Sequence, residues 1–298
     1  MRLKEGCSTS LFCAMIGLSS DGAFFAMKNQ ELIIVRGGGD MATAVIHRLW
    51  RAGFRILVLE AEHPAAIRRQ VAISEAVYDG MTTVEGMTAV CIQSLDEMQC
   101  VWNSGQVPIM VDPRGDSIAK LSPDVVVDAI IAKKNLGTHK DMAPLTIALG
   151  PGFIAGEDVH AVIETMRGHN LGRIITQGSA QPNTGIPGKI GGYAAERVIH
   201  APCAGVLHSV RAIGDNVQQG DVIAMIENDG GREAVPASIS GLIRGLIRDG
   251  YTVSKGFKIA DIDPRQEEYA NCFTISDKAR CIAGSVLELV CRQLRDAK

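Results

Sequence analysis

The stretch ELIIVRGGGDMATAVIHRLWRAGFRILVLE, residues 31–60, decides the fold. A short apolar run leads into three successive glycines, Gly37, Gly38 and Gly39, and the residues after them carry apolar side chains at helical spacing. A second apolar run then ends at Glu60. Strand, glycine turn, helix and strand in this order predict the opening βαβ unit of a dinucleotide-binding Rossmann domain.

The spacing Gly37-x-Gly39-x-x-Ala42 is that of a phosphate-binding turn. The first glycine permits the sharp turn, the second lets the backbone approach a pyrophosphate, and Ala42 allows the helix to pack closely on the strand. The helix N-terminus supplies N–H groups and partial positive charge. Glu60 stands where a carboxylate accepts hydrogen bonds from an adenosine ribose, which favours NAD over NADP. A Rossmann core that binds no nucleotide is the alternative.

A second glycine-rich loop follows the strand predicted over 145–149 and contains Gly150 and Gly152. Ligands bind at the carboxyl ends of the strands in open parallel sheets, so this loop predicts another backbone-lined pocket beside that edge. A loop that needs glycine only for its backbone angles explains it equally well. Lys133, and Arg167 at the close of a helix predicted over 156–168, could neutralise a phosphate, and solvated helix caps are the alternative.

Apolar runs alternate with helical patterns up to residue 180, which predicts a parallel sheet covered on both faces. Further strands are expected at 75–78, 89–92, 107–111, 125–130 and 173–176. A polar run rich in glycine and proline over 178–188 then marks a boundary. We divide the chain into a leader (1–30), a Rossmann-like domain (31–180), a linker (181–196), a small all-β domain (197–265) and a C-terminal helical segment (266–298).

The all-β domain contains a near-repeat. Residues 200–224 and 235–260 each run from an apolar strand, through a Gly-polar-x-Val turn, to a glycine before a second apolar strand. Two copies predict a pseudo-twofold β-sandwich that resembles the lipoyl/biotinyl barrel-sandwich. The hairpin that carries the prosthetic lysine in those domains reads ENDGGRE here, residues 227–233, so no biotin or lipoate attachment is expected. An amphipathic helix is predicted over 276–294.

Composition excludes several classes of function. The formal net charge is -3 and only 4% of the residues are aromatic, so neither a basic footprint nor a stacking platform for nucleic acid is expected. No apolar stretch approaches the ~20 residues that span a bilayer, so no membrane partner is expected. The eight cysteines form no CxxC pair and no metal-ligand spacing, which favours a reducing cytoplasm and predicts no metal site.

The beginning of the chain does not fit the Rossmann pattern. Residues 1–26 faintly resemble a signal peptide, but Glu5 interrupts the charged region and no cleavage motif follows. We expect this leader to be disordered or a mis-assigned start, with Met27 as the alternative first residue.

Six segments together resemble one known family. They read VRGGGD (35–40), VDP (111–113), VDAIIAKKN (127–135), LGPGF (149–153), IETMRGH (163–169) and PNTG (182–185). Over residues 31–298 the chain resembles the selenium-dependent molybdenum hydroxylase maturation proteins of the YqeB family, and more distantly the Rossmann part of the xanthine dehydrogenase accessory factors. The resemblance implies a cytoplasmic accessory protein whose partner is a molybdenum hydroxylase apoenzyme.

The resemblance also widens the choice of ligand. It implies that the turn at Gly37, Gly38 and Gly39 and the loop at Gly150–Gly152 could line a site for the molybdenum cofactor, a pterin phosphate often extended to a dinucleotide, instead of NAD. We therefore expect an accessory protein that binds a nucleotide-bearing cofactor, molybdenum cofactor or NAD, and assists its insertion or modification. The alternatives are an NAD-dependent oxidoreductase and a ligand-free docking scaffold, and whether the chain is an enzyme stays open.

Overall fold

The computed structural model describes residues 31–183, 185 and 188–296. The predicted leader therefore lies outside the described residues, as do residues 184, 186 and 187 of the predicted linker. Two units make up the described chain. The α/β unit is built on a nine-stranded sheet, and the β unit contains two sheets of four strands each.

The α/β unit is built on one mixed sheet in the order β3-β4-β5-β2-β1-β6-β7-β8-β9. The strands are β1 (Leu32–Arg36), β2 (Arg55–Glu60), β3 (Met81–Val84), β4 (Met87–Cys91), β5 (Val107–Val111), β6 (Val125–Asp128), β7 (Leu145–Leu149), β8 (Ala161–Ile163) and β9 (Ile174–Ile175). All inner neighbours run parallel, whereas β3 and β9 run antiparallel at the two edges. The order β5-β2-β1-β6-β7-β8 is that of Rossmann-type sheets.

Five helices accompany this sheet. They are α1 (Asp40–Arg51), α2 (Ala76–Asp79), α3 (Met98–Asn103), α4 (Asp116–Leu121) and α5 (Asp277–Asp296). Although α5 comes last in the chain, its apolar side chains Ile282 and Val286 share one buried core with Ile33 of β1 and Val45 of α1. The C-terminal helix thus covers a face of the first sheet. None of the helices in the described ranges has the length and apolarity that a membrane span needs.

The β unit consists of two antiparallel sheets around one core. Its strands are β10 (Val198–His200), β11 (Gly205–Ser209), β12 (Asn216–Val217), β13 (Val222–Asn228), β14 (Gly231–Pro236), β15 (Gly241–Leu246), β16 (Thr252–Val253) and β17 (Lys258–Asp263). One sheet has the order β10-β17-β15-β12 and the other β14-β13-β11-β16. Gly205 and Gly241 begin β11 and β15 with φ of 155° and 153°, and a Cβ at either one would collide with a backbone carbonyl of the neighbouring strand. These glycines are the corresponding positions of the two repeats.

The predicted fold class requires correction in two respects. The first sheet is mixed, because antiparallel strands close both of its edges. The second unit is a pair of four-stranded antiparallel sheets within the described residues, and a lipoyl/biotinyl barrel is not shown. The predicted C-terminal helix is confirmed, and its apolar face completes the core over β1 and α1.

Two elements predicted from local patterns are wrong. Residues 156–168 were expected to be helical, but they contain β8, because Ala161, Val162 and Ile163 are buried between neighbouring strands of the sheet. Residues 75–78 were expected to form a strand, but they lie in a 3₁₀ turn and in α2. In both places a short apolar run fits either period, and tertiary contacts decide between them.

Residues 64–69 join the two units by pairing with the edge of β15. The Leu246 N–H donates to the Ile67 carbonyl at 2.9 Å, and Arg69 Nε donates to the Leu246 carbonyl at 2.8 Å. Gly245 leaves room for this contact, because a Cβ there would lie 2.8 Å from Ile67 Cγ2 and 2.9 Å from the Ile67 carbonyl oxygen. The interface therefore depends on a residue without a side chain.

We expect Gly245→Ala to lower the free energy of unfolding by about 1–3 kcal/mol, since overpacking at a close backbone contact costs that much. Chemical denaturation measures the change. Gly284→Ala is the matched control, because Gly284 lies in α5 with open space around it. Its replacement should stabilise by up to about 1 kcal/mol through helix propensity. Equal effects of the two substitutions would contradict the close contact at Gly245.

A cluster of charges also crosses the interface between the units. Arg248 donates from Nη1 to Glu75 Oε2 at 3.0 Å and to Asp79 Oδ2 at 3.0 Å, and its guanidinium lies over the Tyr78 ring, 4.5 Å from the centroid. Glu75 is only 5% exposed, and burial raises its pKa. The hydrogen bond from Arg248, together with Arg69 at 3.5 Å, therefore supports a largely buried carboxylate.

Replacing Arg248 with Met keeps the aliphatic stem and removes the guanidinium. We expect Arg248→Met to cost about 1–3 kcal/mol of stability, because the buried Glu75 loses a charged hydrogen bond. Arg232→Met is the control, since Arg232 pairs with Glu227 at the surface at 2.8 Å. Surface pairs of that kind contribute about 0–1 kcal/mol. Denaturation curves in which both variants lose the same stability would argue against a buried role for Glu75.

Candidate functional site

The glycine turn lies at the carboxyl end of β1, between the ends of β2 and β6. Gly37 has φ of +98°, and a Cβ there would lie 3.1 Å from backbone atoms of Ala129 and Ile130 in the loop after β6. Its N–H donates to the Leu59 carbonyl at 2.8 Å. A positive φ and a close backbone approach both require glycine at this position.

Glu60 faces this turn from the end of β2. The Gly38 N–H donates to Glu60 Oε2 at 2.6 Å, and the Ala61 N–H donates to Oε1 at 2.7 Å. The Gly38 carbonyl in turn accepts from the Ser74 N–H at 2.9 Å. Burial raises the pKa of Glu60, and the two backbone hydrogen bonds oppose that rise. Both carboxylate oxygens therefore serve the turn itself, and the contact of Glu60 with a ribose stays a prediction.

Gly39 is the open end of the turn. A Cβ on Gly39 would meet no atom within 4 Å, whereas Gly38 and Ala42 are buried. Gly39 precedes α1, and the helix begins its hydrogen bonds with the Thr43 N–H, which donates to the Gly39 carbonyl at 2.8 Å. The N–H groups of residues 40–42 belong to the first turn, which a helix leaves without internal partners.

A cavity of about 370 Å³ opens in front of this helix start. We call it the basic cavity. The α/β unit supplies the start of α1 (Gly39, Asp40, Met41), the loop after β6 (129–131), Arg167 and the start of α5 (Ser276, Lys278). Residues 65–68, which belong to the segment that joins the two units, form another wall. Strands β15 and β17 of the β unit contribute Arg244, Lys258 and Asp261. The volume falls within the range of small-molecule sites.

Positive charge dominates these walls. The cationic residues are Arg68, Arg167, Arg244, Lys258 and Lys278, against the two acids Asp40 and Asp261. Asp261 pairs with Arg197 at 3.3 Å and Asp40 with Arg68 at 3.4 Å. Among the described residues, Arg244, Lys258 and Lys278 have no ion-pair partner within 4.0 Å. The cavity thus has more cations than acids. Carboxylates beyond 4.0 Å still attract two of these cations: Asp263 and Asp277 attract Arg244, and Asp40, Glu164 and Asp277 attract Lys278.

Two guanidinium groups of the cavity also hold unused donors. Arg68 is 9% exposed, and its Nη2 donates to the carbonyls of Asn271 and Thr274 at 3.1 and 3.0 Å. Its Nε, and that of Arg244, are buried without a hydrogen-bond partner in the described chain. Burial lowers the pKa of Arg68, and repulsion by Arg244 adds to this effect. Buried donors of this kind are normally paired, so these two are free to donate to an oxygen in the cavity.

The start of α5 adds a second helix N-terminus to the same cavity. Ser276 caps this helix, with its Oγ accepting from the Ala279 N–H at 3.2 Å. Lys278 follows in the first turn, and burial and the nearby Arg167 lower the pKa of its ammonium group. The positive ends of α1 and α5 thus meet at one wall, and each attracts an anion.

The structure brings together only part of the predicted site. Gly39 and Arg167 line the basic cavity, and Arg167 also donates to both oxygens of Asp277 at 2.9 Å. Gly150 and Gly152 lie outside its walls. A Cβ on Gly152 would lie 2.7 Å from the backbone nitrogen of Lys134, and a Cβ on Gly150 would lie 2.6 Å from Thr165 Oγ1. Close packing therefore requires glycine at both positions.

The loop after β6 carries backbone strain next to the cavity. Ile131 and Lys133 have φ of 58° and 63°, values that are uncommon for residues with a side chain and a particular outlier for a β-branched one. Ile131 lines the cavity, whereas Lys133 is exposed and does not. Strain of this kind often occurs at binding sites. Sequence spacing selects Lys133 but gives no sign of the strained backbone beside it.

Most of the cationic residues in the cavity were missed in the sequence. Arg68, Arg244, Lys258 and Lys278 come from four separate parts of the chain and follow no common spacing. The one available signal is that Lys278 falls in the first turn of the helix predicted over 276–294. In the ranges that the structure describes, no group of three or more His, Cys, Asp or Glu side chains is placed to hold a metal ion.

The position of Glu60 gives a test by pH. Because burial raises its pKa, the folded chain binds a proton there more readily than the unfolded chain. The free energy of unfolding of the wild type should therefore fall as the pH rises from 4.5 through the raised pKa. Glu60→Gln cannot ionise and should lack this part of the fall, as measured by urea denaturation between acidic and neutral pH. Glu62→Gln, an exposed change two residues away, is the control, and parallel profiles for wild type and Glu60→Gln would refute the buried carboxylate.

Comparison with known proteins gives one strong sequence match. No protein family model matches the chain. Over 258 residues it is 52% identical to the Escherichia coli (strain K12) protein YqeB, itself described as uncharacterized. The match covers 87% of this chain and 47% of YqeB, so the chain spans about half the length of that curated relative.

Solved structures give only weak likenesses. A Mesorhizobium loti aspartoacylase family protein has a TM-score of 0.29 at 15% identity, covering 79% of this chain and 85% of its own. The product-bound ectoine utilization protein EutE of Ruegeria pomeroyi has 0.25 at 10%, covering 78% and 85%. A succinylglutamate desuccinylase from Silicibacter has 0.24 at 13%, covering 78% and 84%. Likenesses at this level transfer neither an activity nor a metal site to this chain.

The expected role in maturing a selenium-dependent molybdenum hydroxylase is corrected on these findings. The matching relative, YqeB, is described only as uncharacterized, so the comparisons give this chain neither a molybdenum nor a selenium role. The resemblance to YqeB itself is confirmed. Over most of its length, the chain is a homologue of about half of the Escherichia coli protein YqeB.

Proposed function

We propose that this chain binds a small molecule bearing a phosphate group in the basic cavity. The observation that carries the proposal is the pair of buried, unpartnered Nε donors of Arg68 and Arg244. An unpaired buried donor costs about 1–3 kcal/mol, more if charged, and an anionic oxygen in the cavity would remove that cost. Planar guanidinium groups suit phosphate and carboxylate oxygens because their N–H groups can donate two parallel hydrogen bonds.

Helix geometry favours phosphate over a single carboxylate. The N-termini of α1 and α5 both lie at the cavity, and each supplies partial positive charge. Arg244, Lys258 and Lys278 add three cations that form no ion pair within 4.0 Å in the described chain. A group with several negative oxygens can contact all of these at once.

A nucleotide is the class of ligand that best joins these features to the Rossmann-type sheet. NAD and the molybdenum cofactor both carry phosphate, and both stay candidates. The phosphate would approach from the open Gly39 and the start of α1, because the Gly38 N–H is occupied by Glu60. This differs from the mode first expected, in which the acid at the end of β2 holds the ribose. A cytoplasmic location, expected from the scattered cysteines, is part of the proposal.

Calorimetric titration with ATP and with NAD tests the proposal. We expect saturable binding of at least one of them, weakened about tenfold by Lys258→Ala, since a charge-assisted contact contributes about 1.5–3 kcal/mol. Lys255→Ala is the matched control, because Lys255 is a nearby exposed lysine that does not line the cavity. Its affinity should equal that of the wild type.

Two results would sink the proposal. One is a failure of ATP, NAD and inorganic phosphate to bind the folded protein at low ionic strength. The other is equal weakening by Lys258→Ala and Lys255→Ala, which would place the ligand elsewhere or make its capture a general effect of surface charge.

A further inference from the structure

A second chamber adjoins the basic cavity. It has a volume of about 400 Å³ and shares three wall residues with the basic cavity, namely Arg167, Arg244 and Ser276. Its remaining walls include the cations Lys189 and Arg265, the acids Glu268 and Asp277, and the turn that leads into α5. The three shared residues face both spaces, so they lie at the boundary between the two chambers.

Some cationic side chains of the second chamber are already ion-paired with carboxylates, and others are not. Arg265 is held by Asp263, at 3.0 Å to Oδ1 and 2.9 Å to Oδ2, and it also pairs with Glu268 at 3.1 Å. Arg167 is held by Asp277, whose pKa lies well below its usual range because of the hydrogen bonds from that guanidinium. Arg265 and Arg167 are therefore largely neutralised where they stand.

Arg244 lies between the two chambers and forms no ion pair within 4.0 Å in the described chain. It projects from β15, and its Nε is buried without an acceptor among the described residues. It lines both chambers, so its guanidinium can serve an anionic group on either side. Lys189, an exposed lysine, lines only the second chamber, and Lys258 lines only the first.

We propose that the ligand carries two anionic groups, one in each chamber, with Arg244 between them. This inference rests on the proposed phosphate site and names the class of compound it takes, a nucleoside bisphosphate with its phosphates at separate positions of the sugar. A ligand with one phosphate fills only the basic cavity and leaves Lys189 and the second chamber unused. A second phosphate on the same molecule contacts the second chamber without a second binding event, so its contacts add to the affinity.

A matched pair of ligands tests the inference, namely adenosine 5′-monophosphate and adenosine 3′,5′-bisphosphate. We expect the bisphosphate to bind about tenfold more tightly, with one molecule bound per chain, because the second phosphate gains charge-assisted contacts. Lys189→Ala should reduce that advantage to less than about threefold and leave binding of the monophosphate unchanged. Lys255→Ala should change neither affinity, and thermal unfolding should show that all variants are folded.

The outcomes separate this inference from the proposed function. Binding of the monophosphate with no gain for the bisphosphate overturns the two-group ligand and leaves the phosphate site standing. A gain that Lys189→Ala does not reduce also overturns it, since the second phosphate then lies outside the second chamber. Absence of binding by both nucleotides and by ATP and NAD overturns the phosphate site and this inference together.

Discussion

The packing of α5 on α1 holds the site in place. Ile282, Val286 and Val290 lie against the first helix and the sheet beneath it, and all three are buried. A fully buried side chain of this size contributes about 1.5–3 kcal/mol, so a few of them suffice to anchor a helix. Because the helix is anchored there, Ser276 and Lys278 lie beside Gly39. The chain therefore leaves the α/β unit, forms the whole β unit, and then returns to the first sheet at α5.

Such an arrangement gathers like charges at a cost. Arg68 and Arg244 repel each other, and this repulsion together with burial lowers the pKa of Arg68. The fold tolerates the repulsion because Arg68 is fixed from other sides, by carbonyls of Asn271 and Thr274 and by Asp40. An anion that binds only the folded state would relieve the repulsion and stabilise the protein by mass action. The repulsion between these two guanidinium groups therefore favours binding of an anion in the cavity.

Local patterns predict the part of this fold in which local and tertiary preferences agree. The run from β1 through α1 to β2 follows from apolar spacing and three glycines, and the structure places all three elements where they are expected. The same reasoning fails over 156–168, since the three apolar residues of β8 take strand form only through their neighbours β7 and β9. The mixed edges of the sheet likewise depend on pairings that no spacing reveals.

The sequence likewise predicts only part of the candidate site. Gly39 and Arg167 were selected from sequence, because a helix start and a basic residue near a strand end have recognisable positions. Arg244 and Lys258 belong to the β unit, and they reach the cavity only because Gly245 lets β15 approach Ile67. Glu60 stands at the predicted end of β2, but its carboxylate turns towards the Gly38 N–H, and a side-chain direction of that kind is not encoded in spacing.

The contact between α1 and α5 also has a consequence for how the chain is made. The core of the α/β unit joins Ile33 to Val290, whereas the strands of the β unit form their sheets within the range from Val198 to Asp263. Contacts between residues far apart in sequence form late, because their loops cost entropy to close. A ribosome releases the whole β unit before α5 emerges. The later unit can therefore be complete while the earlier one still exposes the apolar face of its first helix, and that interval is when the nascent chain most needs protection from aggregation.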